Sequence, residues 1–253
     1  MGIENCVCVI FGGAQGVGKL ISEQLLKKGA KVVISESDED KLKGDAFLNQ
    51  VYQNEIPEDQ VIFVPYQRQN TESIDDVLQK AKAWGDVGVV CHVGGSGSPD
   101  PGEGRRLLEG HIERYVAGTY KAIRVMSRKN GGKGGLVLNI CSMAGDRVDQ
   151  LAAKYTTAEM GVVAAFIRSF SLFPHTADDG VRVNCICPSS SGGVGDGGMG
   201  RGWERRPSSQ DFVLSRGRVS EPSVVKAFMK CVEDNTMNGS VLEVLPDDNI
   251  VQV

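Results

Sequence analysis

The stretch from Val7 to Glu36 constrains the fold more than any other part of the chain. Val7-Cys8-Val9-Ile10-Phe11 is a short apolar run of strand formers. Gly12-Gly13-Ala14-Gln15-Gly16-Val17-Gly18 follows. A helical pattern then puts Leu20, Ile21, Leu25 and Leu26 on its inner side and closes at Gly29. Lys31–Ser35 reads as a second strand ending at Glu36. Strand, glycine turn, helix and strand make a βαβ unit. In such a unit glycines let the backbone approach a pyrophosphate, and the helix start presents unpaired N–H groups and a positive dipole end. A carboxylate at the end of the second strand accepts hydrogen bonds from an adenosine ribose and repels a 2′-phosphate, which favours NAD over NADP. Gly12, Gly16, Gly18 and Glu36 are therefore candidate cofactor-binding residues. A tight turn with no ligand would use similar glycines, but the acidic partner at the strand end favours a dinucleotide crevice.

The same alternation continues to the end of the chain. Residues 61–64, Val87–Val93, 136–140, 181–187 and 241–245 read as strands. Residues 71–84 are amphipathic, with Ile74, Val77, Leu78 and Ala81 on one face. Residues 112–126 and 224–232 also read as helices. Two loops rich in glycine, 94–104 and 188–202, follow strands at the sheet edge where ligands bind in open α/β sheets. The reading is a Rossmann-like α/β fold: a doubly wound, mostly parallel sheet with helices on both faces, in a single domain over residues 1–253.

Composition narrows the partners. A net charge of −4 gives no general attraction to nucleic acid or to an anionic membrane. No run is long enough to span a membrane, so no stable membrane insertion is expected. The chain shows no basic segment followed by a signal-length apolar run. A cytoplasmic protein is the default, with leaderless secretion left open. The seven cysteines include Cys6 with Cys8 and Cys185 with Cys187 in apolar runs, which reads as core packing. No Cys/His cluster has zinc spacing, so no metal site is expected.

The chemistry concentrates in residues 136–161, LVLNICSMAGDRVDQLAAKYTTAEMG. A buried strand runs into a loop at Ser142, and a helix then carries Tyr155 and Glu159. Ser142 and Tyr155 are thirteen positions apart, and Glu159 shares a helix face with Tyr155 one turn on. Each residue alone would be ordinary: a loop serine, a helix tyrosine, a solvated glutamate.

Together with the glycine turn, Glu36 and the run VRVNCICP, this segment resembles the short-chain dehydrogenase/reductases over nearly the full length. The texture FGGAQGVGK, LLKKGAKV, GTY…MSRKNGGKGG and MNGSVLEV is similar to members that oxidise a hydroxyl on an oxygenated polyunsaturated fatty acid with NAD and work as homodimers. The resemblance thus implies a lipid-derived small-molecule substrate and a homodimer. It also exposes departures. Where the family has a threonine before the first glycine, this chain has Phe11. The acid expected after the third strand is Gln67, followed by Arg68. The family's NNAG reads Cys91-His92-Val93-Gly94, and its catalytic asparagine aligns with His111. The lysine four residues after the tyrosine is Glu159, and a Pro-Gly pair reads Pro188-Ser189.

In the family that lysine binds the nicotinamide ribose and lowers the tyrosine pKa. A carboxylate does the opposite, raising a phenol already near about 10. Tyr155 then serves as a neutral donor or acid rather than a base. The leading expectation is therefore a reaction with no cofactor required, NAD affinity being weakened though still open. In it a fatty-acid hydroperoxide loses water to give an oxo fatty acid. Tyr155 and Ser142 would protonate the departing oxygen, and Glu159, His111 or His92 would take the proton from carbon. The alternatives are NAD-dependent oxidation of a hydroxy fatty acid or prostaglandin-like alcohol, and a non-catalytic binding or scaffold role.

Overall fold

A computed structural model describes residues 2–54, 56–67, 70–93, 112–141, 166–171, 178–188 and 219–253. In chain order these form β1 (Val7–Phe11), α1 (Gly16–Lys27), β2 (Lys31–Ser35), α2 (Lys41–Gln53), β3 (Val61–Phe63), α3 (Glu72–Trp84) and β4 (Val87–Val93). A π-helical turn (Ile112–Ala117) leads into α4 (Gly118–Met126), then β5 (Gly135–Ile140) and the short α5 (Arg168–Ser171). β6 (Val181–Pro188), α6 (Glu221–Glu233), β7 (Val241–Val244) and β8 (Ile250–Gln252) complete the described elements.

The strands make one sheet in the order β3-β2-β1-β4-β5-β6-β7-β8. All neighbours pair in parallel except the last, where β8 runs antiparallel to β7. The expected doubly wound α/β fold is what the chain forms. The chain moves outward one way from β1 and the other way from β4, so the topological switch lies between these two strands. Crevices outside the carboxyl ends of strands at such a switch are where open α/β sheets bind ligands.

Near-continuous apolar strands are buried on both faces, as a sheet covered twice requires. Cys8, Ile10, Val32, Ile34, Val89, Leu136 and Leu138 face α1, α2 and α6. Val7, Val9, Val33, Val90, Val137 and Val183 face α3 and α4. The α3 stripe is as expected, with Ile74, Val77, Leu78 and Ala81 all buried. Each such branched side chain taken fully from water contributes roughly 1.5–3 kcal/mol. The Ser220 hydroxyl accepts the Ser223 N–H at 3.2 Å to cap α6, and Pro222 occupies its first turn.

Three sequence expectations are corrected. The segment 112–126 is not one α-helix, because its first six residues are π-helical. Helix α6 begins at Glu221, where Ser220 caps it, rather than at Val224. The edge strand β8 was not anticipated. The loops at 94–104 and 189–202 lie outside the described residues. Among the described residues, no helix is long and apolar enough to cross a membrane.

Candidate dinucleotide crevice and reaction site

The glycine turn after β1 is built by close backbone approach. Gly12 has φ +81°, and a Cβ there would lie 3.2 Å from the Val93 carbonyl oxygen at the end of β4. Gly16 has φ +50°. A Cβ on Gly18 would fall 1.9 Å from the Gly12 carbonyl oxygen, so α1 starts against the turn at a distance that admits no side chain. The buried Ser22 hydroxyl lies 3.0 Å from the Gly13 carbonyl and 2.9 Å from that of Gly18, tying turn to helix. Gln15 occupies the N-cap without a side-chain capping bond, and no acidic residue stands in the first turn of α1. Neither residue compensates the positive end of α1, beside which the Glu221 carboxylate of α6 stands, 3.6 Å from where a Cβ on Gly16 would lie.

Glu36 closes the other wall. Its carboxylate accepts the Ala14 N–H at 2.7 Å and lies 3.4 Å from the Gln15 amide nitrogen. It is 3% exposed. Burial raises its pKa above the ordinary glutamate value, and the Ala14 N–H opposes that rise. Gln15 is itself held by Lys43, whose ammonium donates to its side-chain oxygen at 2.8 Å and pairs with Asp40 at 2.7 Å. Sequence reasoning missed this Gln15–Lys43 link. Its two members lie on different elements, and only the residue type before Gly16 hinted at a polar role.

The test for NAD is whether this cradle suits it. A left-handed turn, a side-chain-free helix start and a buried carboxylate beside the turn's N–H groups match a pyrophosphate and a ribose diol. The residues present fit the cofactor. Gln67, which replaces the family's acid, is exposed, and its backbone N–H donates to Ser73 at 3.0 Å. Arg68 lies outside the described residues.

The reaction end is built differently. His92, one of the candidate bases, lies near the end of β4. Strand alternation points it, like Val90, to the α4 face, where it is 1% exposed. Its ring stacks on Phe11 at 4.8 Å with an interplanar angle of 8°, and Phe11 meets Tyr66 edge-on at 5.5 Å. A Cβ on Gly118 would lie 2.5 Å from the imidazole, so α4 approaches only because it has none there. Two departures from the family pattern, Phe11 and His92, are thus one packed pair. His92 is buried against Phe11 and α4, whereas a base for the proposed reaction must reach substrate.

Beside this pair, Asn139 lies opposite His92 in the β4–β5 register. Its amide donates to Thr119 of α4 at 3.2 Å. The Tyr115 phenol, in the π-turn, donates to the Ile140 carbonyl at 2.8 Å. Neither link was foreseen, since Tyr115 reads as an apolar helix position. Cys141 is buried and its N–H donates to the Ile186 carbonyl at 2.9 Å, fixing the strand end that leads to Ser142. Ser142, Tyr155, Glu159 and His111 lie outside the described residues. Among the described residues, no group of His, Cys, Asp and Glu could hold a metal ion.

Residues 6–193 match the family model described as short chain dehydrogenase. The chain is 25% identical to human 15-hydroxyprostaglandin dehydrogenase [NAD(+)] over 257 residues, covering 99% of this chain and 94% of that protein. It is 26% identical over 250 residues to 3beta-hydroxysteroid dehydrogenase 2 of Eggerthella lenta, covering 93% of this chain and 92% of that one. The structure of a short-chain type dehydrogenase/reductase from Mycobacterium ulcerans matches with a TM-score of 0.79 at 19% identity, covering 96% of this chain and 90% of that one. That likeness shows the fold, and the family match adds descent: the chain belongs to the short chain dehydrogenase family.

Proposed function

We propose that this protein binds NAD in the crevice between β1 and β4 and oxidises a hydroxyl on an oxygenated fatty acid or similar lipid-derived alcohol. The observation that carries the reading is the Glu36 carboxylate drawn onto the Ala14 N–H beside a glycine turn too close-packed for side chains. Two relatives are named for dehydrogenation of hydroxylated apolar molecules, one of them with NAD(+). This shifts the balance from the cofactor-free reaction that the sequence favoured.

In this reading Gly12, Gly16, Gly18 and the first N–H groups of α1 hold the pyrophosphate. Glu36 accepts from the adenosine ribose and disfavours a 2′-phosphate. NAD supplies the hydride acceptor. Tyr155 takes the hydroxyl proton, with Ser142 hydrogen-bonded to the same oxygen. His111 and Glu159 stand in sequence where the family has its asparagine and lysine. A carboxylate next to the phenol raises its pKa, so turnover should climb with pH into the alkaline range. The test is incubation with NAD and a 15-hydroxy fatty acid, following reduced nicotinamide. No reduction at any pH, with NAD bound, would sink the reading.

Glu159 favours a second reading, the loss of water from a hydroperoxide. A proton leaves the carbon bearing –OOH, the O–O bond breaks and water departs, leaving a ketone. Tyr155 and Ser142 would protonate the departing oxygen, with Glu159 or His111 as base. Ketodiene absorbance from a fatty-acid hydroperoxide without NAD distinguishes it.

We also propose a cytoplasmic homodimer. Tyr120, 53% exposed on α4, clusters with Phe166 and Phe170 at ring distances of 5.3–5.7 Å. Phe170 is buried and Phe166 half-buried, so Tyr120 is the exposed edge of the cluster, and that edge is the face assigned to a second copy. Tyr120→Glu should halve the sedimenting mass, and an unchanged mass would exclude this face.

A further inference from the structure

We propose that Tyr115 is a positioning residue, whose phenol holds the π-turn of residues 112–117 in register against the end of β5. Two buried links join this helix to β5. Tyr115, 1% exposed, donates to the Ile140 carbonyl at 2.8 Å. One helical turn on, Thr119 accepts from the Asn139 amide at 3.2 Å. Residues 115 and 119 share a helix face, and residues 139 and 140 are consecutive on β5. One face of one helix is therefore braced to the last two residues of one strand. Gly118 sits between the links, where the absence of a Cβ lets the helix close on His92.

The place of the brace gives it a consequence. A π-turn holds one residue more than the α-turn it replaces and persists where something fixes it. Relaxation to α-helix would expel that residue and rotate the preceding backbone by about 100°. The residue that enters the turn is His111, and the residue two beyond Ile140 is Ser142. Tyr115 thus joins residues 112–117 to the end of β5, the two described stretches next in sequence to His111 and Ser142. The link to catalysis rests on the proposed function, whereas the brace itself does not.

Two variants test it. Tyr115→Phe keeps the ring and removes the donor, and Thr119→Val keeps the shape and removes the acceptor. Amide hydrogen exchange should accelerate in residues 112–117 of Tyr115→Phe while β1 amides stay protected. With NAD and the hydroxy fatty acid, kcat should fall about tenfold, the worth of one buried hydrogen bond. KM and NAD affinity should stay within about twofold of wild type. Thr119→Val should give the same pattern more weakly, and it decides the matter if the Phe variant does not fold. Unchanged exchange and kcat would overturn the proposal, as would a parallel loss of kcat, NAD affinity and melting temperature. Wild-type protein that binds NAD without turnover would refute the functional reading, and the exchange data would still judge the brace.

Discussion

The two ends of the crevice floor have been treated differently. On the glycine-turn side, family residues remain where backbone meets backbone. A side chain on Gly18 has no room against the Gly12 carbonyl, and one on Gly12 would crowd Val93 at 3.2 Å with its φ of +81° in the left-handed region. Where side chain meets side chain, at the ends of β1 and β4, polar family positions carry Phe11 and His92, stacked on each other, and a buried tyrosine in the π-turn is bonded to the end of β5. The contrast separates the constraints that are absolute from those that are not. A contact between two main chains cannot be relieved by a compensating substitution, whereas a contact between two side chains can.

The largest effect is expected from Phe11→Ala. It should cost about 3–5 kcal/mol, because it opens a cavity against both His92 and Tyr66. Urea midpoints measure it. A loss below about 1 kcal/mol would mean that the stack is not a compensated pair. Next comes Gly18→Ala, which forces the turn and α1 apart and should cost about 1–3 kcal/mol together with the loss of NAD binding. Retained binding at wild-type affinity would show that the backbone approach is not the cradle.

Glu36→Gln sharpens the comparison further. Losing a charged acceptor to the ribose should weaken NAD by about tenfold or more and narrow the preference over NADP. Stability should move the other way. The folded pKa of Glu36 is raised by burial, so the folded state binds its proton more tightly than the unfolded chain does. That contribution is present below the unfolded pKa and is lost as pH rises through the folded one. The Gln variant should therefore gain stability relative to wild type as pH climbs from about 4 towards neutrality. Melting temperatures of both proteins across that range read it out, and a constant difference would place the carboxylate in water instead. The smallest effect belongs to Ser220→Ala, which should remove about 1 kcal/mol by uncapping α6 and leave NAD affinity unchanged.

The fold was legible in the sequence where close packing restricts residue type. Strand, glycine turn and helix at Val7–Lys27 could be read directly because Gly12, Gly16 and Gly18 have physical work that no other residue does. Glu36 was legible as the acid at the end of β2, though its bond to Ala14 was not. The π-turn was hidden because an apolar pattern over 112–126 fits a 3.6-residue period either way. β8 was hidden because Ile250, Val251 and Gln252 form a short, half-exposed edge. Alternation along β4 pointed His92 at α4, but its stack on Phe11 could not be read from sequence. Tyr115 carried no signal, since a buried phenol's partner was a carbonyl twenty-five residues away.

We propose above that the glycine turn and Glu36 form a working dinucleotide cradle. Calorimetric titration of the purified protein with NAD tests it most directly. Saturable binding of one NAD per chain, tighter than NADP and weakened about tenfold by Glu36→Gln, is the predicted result. No saturable heat with NAD, or equal affinity in wild type and Glu36→Gln, would contradict it.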